Sequence, residues 1–181
     1  MTNRVVSFAP QANAITRPLF SDRQADLKKM LKLAADQGEL IYDRLKALDG
    51  AARRFQADPG LADADFARDV ARLAVADPDI GIRLGATHIV GEMVEVLQGV
   101  VIGPQRSDHM LVRHGAMHML GVLAENSPEN AERIRGIAVE VAARDERVSL
   151  VRREANRILG ISDRPPLRRS RNAILPRPHA V

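Results

Sequence analysis

The sequence predicts an all-α protein, a short solenoid of antiparallel helix hairpins with about six to seven helices and extended arms at both ends. Three observations carry this. The segments Ile82–Gly91, Val112–Gly121 and Val151–Gly160 overlay as apolar, Arg, two variable residues, Ala, two variable residues, two apolar residues, Gly. A segment repeated in this way marks one supersecondary unit stacked on copies of itself. Aromatic residues make up only 3% of the chain, with four Phe, one Tyr and no Trp, which disfavours a sandwich or barrel, while its Ala, Leu and Arg favour helix. Apolar content of 45% with 28% charge, over 181 residues, suits one folded domain.

The chain divides into an N-terminal arm (1–20), a helical domain (21–160, with its clearest repeats at 61–160) and a basic tail (161–181). The arm holds Pro10, Asn13 and Pro18 with no sustained period. Ser21-Asp22-Arg23-Gln24 has the form of a capping box. Beyond it, Leu27, Leu31, Ala34, Gly38, Ile41, Leu45, Leu48, Ala52 and Phe55 keep one helix face apolar. A helix pair broken near Asp49-Gly50 would serve, but the phase runs unbroken through Gly50 and favours one long helix. Its seam at 27–55 could pair with a second copy of the chain, although a helix packed on its own domain gives the same pattern.

Asp58-Pro59-Gly60 ends that element. Phe66, Val70 and Leu73 mark a helix over about 62–76. Asp77-Pro78-Asp79 turns the chain into the next helix, near Ile80 to Leu97. Gly99, Gly103 and Pro104 break it, and Ser107 or Asp108 caps a helix running to about Ala124. Ser127-Pro128-Glu129 is a further start, with Ser as cap and Pro at the first helical position, leading to about Arg144. A last helix covers roughly Arg147 to Leu159 and stops at Gly160. The Pro- and Arg-rich remainder cannot build a packed helix.

The repeated segments resemble HEAT-like (armadillo-type) repeats, whose second helix opens with Asp, then Val-Arg, then Ala, then Leu-Gly. Asp77-Pro78-Asp79-Ile80-Gly81-Ile82-Arg83 fits that opening, Asp108 to Arg113 fits with one extra residue, and the third copy keeps Val151-Arg152 and Ala155. The resemblance implies that Asp79 and Asp108 pair with Arg83, Arg113 and Arg152 in a ladder between repeats. The copies stand 30 and 39 residues apart, so the first interval is short and its hairpin is truncated or fused across Gly99. Ala86, Ala116 and Ala155 fit places where helices approach closely. An early Arg lies unfavourably beside a helix dipole, so its recurrence asks for a compensating partner.

No catalytic constellation is legible: there is no phosphate loop, nucleophile elbow, zinc-protease motif or dinucleotide fingerprint. His114 and His118 share a helix face and, with His109, are weak metal candidates. No third or fourth ligand declares itself, and His118 has a positional twin in His88, which favours a packing role. No metal or cofactor is expected. Some proteins of similar helical-repeat build are DNA glycosylases, but the lone Tyr42 leaves few surfaces on which to stack a base.

The absence of cysteine excludes disulfides and thiolate chemistry, and no apolar run reaches the length of a signal-peptide core or a membrane helix. The expectation is a cytoplasmic, non-enzymatic protein-interaction module, an adaptor or scaffold. The five tail arginines, Arg164, Arg168, Arg169, Arg171 and Arg177, against Asp163 account for the whole net charge of +4. They would serve a protein partner or, as the second reading, nucleic-acid phosphates. The tail either stays unstructured or gains order on that partner.

Overall fold

Three short polar side chains start three of the helices. Asp63 accepts a hydrogen bond from Phe66 N (2.9 Å) and opens α3, Ala64–Ala76. Asp79 accepts from Gly81 N (2.7 Å) and Ile82 N (3.1 Å) and opens α4, Ile80–Val101. Ser149 accepts from Arg152 N (3.0 Å) and opens α7, Leu150–Ile158. Each bond satisfies an N–H that the first helical turn leaves free. The other helices are α1 (Arg17–Ala35), α2 (Ile41–Ala57), α5 (Met110–Asn126) and α6 (Pro128–Arg144), with a 3-10 turn at Pro59–Leu61 between α2 and α3. This computed structural model describes residues 17–103, 106–144 and 149–161, and among them the fold is all-α with seven helices. The arm to residue 16 and the tail from 162 onward lie outside the described residues.

The expected long helix over 27–55 is two helices. The chain reverses at Asp36–Leu40, where Asp36 Oδ1 accepts from Gly38 N at 2.9 Å. α1 and α2 then lie antiparallel: Ala34 meets Arg44, Met30 meets Arg54, and Asp26 meets Arg54. The apolar phase survives the reversal because both helices turn the same stripe inward. Leu27, Leu31, Ala34, Leu48, Ala51 and Phe55 are buried within the chain, so most of the seam that could have joined a second copy is occupied. Gly50 does not break α2; a Cβ there would sit 3.2 Å from Met30 Sδ, so the glycine permits close approach. Ser21 falls inside α1, which begins at Arg17, and Gln24 Nε2 donates to Asp63 Oδ2 at 3.1 Å.

Other boundaries also moved. α4 runs through Gly99 and ends at Val101, because its buried residues continue to Val100 and Val101. α5 starts after His109, with Ser107 Oγ accepting from His109 N (3.2 Å) one turn before the helix. α6 begins at Pro128 behind the buried Ser127, as the motif predicts. α7 starts at Leu150 behind Ser149, and the expected start at Arg147 lies outside the described residues. Its end is capped by Gly160 at φ +70, a left-handed conformation suited to glycine, with Ile161 N bonded back to Asn156 O at 2.9 Å.

Helices pack on their neighbours in the chain and on the next but one. α1 packs on α3, α3 on α5 and α5 on α7; α2 packs on α4 and α4 on α6. These alternate helices run parallel where side chains tie them. Leu45 and Leu48 of α2 meet Gly81 and Gly85 of α4 in the same order, and Gln56 then meets Glu92. Gln98 and Ile102 of α4 meet Arg133 and Arg144 of α6, and His118 and Glu125 of α5 meet Glu154 and Arg157 of α7. α4 touches α2, α3, α5 and α6, which is why it is apolar on nearly every side, from Ile82 to Val101. The Phe55 and Phe66 rings stack at a centroid distance of 6.1 Å beneath it.

The three repeated segments fall on α4, α5 and α7, and their alanines, Ala86, Ala116 and Ala155, are all buried. They do not share one row. α5 and α7 belong to the odd-numbered helices and α4 to the even-numbered ones, since among the described residues no helix stands between Val101 and Met110. The short first interval thus holds one helix fewer than the second, and the first copy falls in the other row.

Where four helices meet, Arg44 of α2 and Asp77, between α3 and α4, form a buried ion pair; their side chains are 6% and 2% exposed. Arg44 Nε also donates to Ala34 O at 2.9 Å, in the last turn of α1. Asp77 Oδ1 accepts from Asp79 N at 2.9 Å, and Arg83 Nη1 donates to Asp77 O (2.7 Å) and Pro78 O (3.0 Å). Removing one partner of such a pair strands a desolvated charge, at a cost of about 3–5 kcal/mol. Asp77→Ala is therefore expected to lower unfolding free energy by about that amount in urea titration. The double variant Arg44→Met/Asp77→Ala should be less destabilised than the sum of the singles; strict additivity would deny the coupling.

Candidate functional site

The surface with the largest uncovered apolar side chains lies where α2 and α4 begin side by side. Gly81 and Gly85 face α2 one helical turn apart. A Cβ on Gly85 would come within 3.0 Å of Leu48 Cδ2, and one on Gly81 would lie 3.5 Å from Leu45 Cδ2. The two leucines thus lie over a strip of bare backbone, Leu48 buried and Leu45 at the solvent edge. Around Leu45 the sequence sets Ile41 one turn earlier on α2, and Ile80 and Leu84 one turn apart on α4. Ile80 and Leu84 are 64% and 66% exposed, and Leu40 and Tyr42 are each 72% exposed. Single exposed apolar residues are ordinary, but several at the adjoining starts of two packed helices mark a candidate interaction surface.

The rim is polar. Tyr42, Leu45, Lys46, Asp49 and Arg53 line a shallow depression beside the cluster, with Arg53 paired to Asp49. Farther along the same two helices, Gln56 Nε2 donates to Glu92 Oε1 at 2.8 Å, and His88 Nε2 lies 3.3 Å from that oxygen. An apolar centre with a polar margin is the anatomy of a protein–protein contact.

The other expected site residues are placed as follows. Arg164, Arg168, Arg169, Arg171 and Arg177 lie outside the described residues. Asp79 bonds to its own helix and Arg83 to carbonyls closing α3, so the two do not pair with each other. The partners of Arg83 are carbonyls of the Asp77–Pro78 turn that joins α3 to α4. Asp108 is exposed, Arg113 is buried and Arg152 is half-buried. His109 precedes α5 and His114 is half-buried, while His118 Nδ1 lies 3.0 Å from Glu154 Oε1. Among the described residues no group of three or more His, Cys, Asp or Glu is placed to hold a metal ion.

That His118–Glu154 contact belongs to a cluster joining α5 to α7. Arg157 donates to Glu154 Oε1 from Nε (3.0 Å) and Nη2 (2.9 Å), and to Glu125 Oε1 from Nη1 (2.7 Å). Burial pushes the Glu154 carboxyl up, but hydrogen bonds from Arg157 and His118 outweigh it and hold the group below the usual carboxylate range. Hydrogen bonds to Glu154 and Glu125 raise Arg157. The Arg157 head lies across Gly121, where a Cβ would collide with Nη2. The three repeat glycines therefore do different work: Gly121 makes room for Arg157, Gly160 turns the chain, and Gly91 has nothing within 4 Å of its Cβ position.

Sequence reasoning missed the Arg44–Asp77 pair and the Arg157 bridge. Asp77-Pro78-Asp79 carried one usable signal, since a helix start needs a single capping acid and here there are two.

The chain matches no protein-family model, and no curated protein or solved structure matches it significantly.

Two measurements check the α5–α7 cluster. A depressed carboxyl contributes stability above its unfolded pKa and loses it as pH falls through the folded value. Below about pH 4.5, its ordinary value, the stability that Glu154 adds should fade, and Glu154→Gln should flatten that part of the pH–stability curve. An unchanged acid limb in the variant would remove Glu154 from the account. Gly121→Ala should push the Arg157 guanidinium aside at little net cost in urea titration. A pair this exposed is worth under about 1 kcal/mol, and alanine regains a similar amount in a helix. Arg157→Ala should then add little in the same background, whereas a full additional loss would show that the guanidinium had not moved.

Proposed function

We propose that this chain is a non-enzymatic protein-interaction module, a short helical stack of the HEAT-like kind, that docks a partner protein on the α2/α4 face. The observation that carries the reading is the exposed apolar cluster around Leu45, set on the outer edge of two parallel helices whose inner sides are fully packed. The stacked-hairpin reading is supported by the packing of each helix on the next but one. It is also supported by the even chain separation of the bonds that tie alternate helices, from 32 residues for Glu125–Arg157 to 42 for Ile102–Arg144. The cluster fits an amphipathic helix of the partner, whose ridge would lie between the Ile41–Leu45 and Ile80–Leu84 rows. No helix among the described residues is long and apolar enough to cross a membrane.

A second reading rests on the concentration of the entire net charge in the tail: Arg164, Arg168, Arg169, Arg171 and Arg177 would bind nucleic-acid phosphates, with steep salt dependence. Truncation after Ser162 separates the two. Oligonucleotide binding that disappears with the tail favours the second reading, and binding that survives contradicts it.

The double variant Tyr42→Ala/Leu84→Glu tests the first. Both side chains are exposed, so stability should stay within about 0.5 kcal/mol of wild type. A partner recovered with wild-type protein from its native cell, then rebuilt from purified components, should bind the variant at least about tenfold more weakly, a loss of roughly 1.4 kcal/mol. Undiminished binding would sink the α2/α4 assignment.

A further inference from the structure

A second surface, of different chemistry, lies between α1 and α3. These two helices touch along less of their length than α5 and α7 do, leaving an open groove of about 630 Å³. Its floor is apolar, built from Leu31, Phe66 and Leu73, which are buried, with Ala35 and Ala76 at the edge. Its walls are charged. Lys28 and Lys32 stand one turn apart on α1, and Arg68 and Arg72 one turn apart on α3.

The two ends of the groove differ. At one end the cations are satisfied: Lys28 Nζ lies 2.8 Å from Asp63 Oδ2, and Arg68 Nη1 lies 2.7 Å from Asp65 Oδ1. Toward the other end Lys32 and Arg72 line the walls, and among the described residues neither forms an ion pair or hydrogen bond. The carboxylate of Asp77, farther along, is committed to Arg44. Two like charges over an apolar floor repel one another and lose hydration when covered, unless the covering group brings negative charge.

We propose that this groove receives an acidic amphipathic helix of a partner protein, its apolar face on Leu31 and Leu73 and its carboxylates on Lys32 and Arg72. The charge pattern selects the occupant. The chain's own basic tail would add positive charge to a positive end. A polyphosphate strand would gain nothing from the apolar floor and would meet Asp65 and Asp69 on the α3 wall. Apolar anchors flanked by carboxylates match both features.

The test uses the full chain and a labelled synthetic helix with leucines at i, i+3, i+4 and i+7 and glutamates on the opposite face. Controls are the same peptide with lysine in place of glutamate, and oligothymidylate. Fluorescence anisotropy at low salt should show binding of the glutamate peptide only, weakening as salt is raised. Lys32→Glu/Arg72→Glu should weaken it at least about tenfold, and the neutral pair Lys32→Gln/Arg72→Gln by less. Tyr42→Ala/Leu84→Glu should leave it unchanged, so this inference can fail while the α2/α4 assignment stands, and the reverse. The proposal is overturned if the glutamate peptide fails to bind, if the lysine peptide binds equally, if both charge variants bind like wild type, or if oligothymidylate displaces the peptide.

Discussion

The Arg44–Asp77 pair is the point on which the first half of the stack depends. Four helices end or begin within reach of it, and each sends it a polar group that would otherwise be buried without a partner. Arg44 leaves α2 to satisfy a carbonyl in the last turn of α1, while Asp77 closes α3, anchors the amide before α4 and holds the guanidinium in place. A desolvated pair of this kind adds little net stability compared with apolar packing. What it adds is selectivity, because any other arrangement of α1 and α2 on α3 and α4 would leave one of the two charges alone in the core.

The second half is joined differently. α5 and α7 meet through Arg157, which reaches Glu154 and Glu125 at a partly exposed margin, over the gap left by Gly121. The first hub is dry and the second is wet, so acid and salt should loosen the α7 end before they trouble the α1–α4 core. Each helix packs chiefly on its neighbours in the chain, so the two ends can open separately.

Helix content was legible because it follows from the spacing of apolar residues and from helix starts such as Asp79 and Ser127-Pro128, which act within one turn. The buried alanines were legible for the same reason: recurrence exposed a steric requirement that any one copy would have hidden. The reversal at Asp36–Leu40 was not, since a stripe of period 3.6 looks the same whether the helix continues or folds back on itself. Direction of side-chain bonding escaped as well. Arg83 was expected to find a carboxylate and found carbonyls, because a turn's free carbonyls accept from a guanidinium as readily as Asp does and leave no mark in composition. The apolar residues at Leu45 were visible only as part of a stripe; that its Gly38–Leu45 stretch faces water depends on how the helices pack, which periodicity does not encode.

The row change between α4 and α5 has a consequence for how this molecule could diverge. Corresponding positions in the first and second copies, such as Leu84 and His114, sit in opposite layers of the stack. Two segments that share a pattern but lie in different rows keep the same steric needs, hence the shared Arg and Ala, while meeting different surroundings. Leu84 could therefore be tuned to one ligand and its twin to another without conflict. In a protein this small, one recurring pattern thereby furnishes two independent faces.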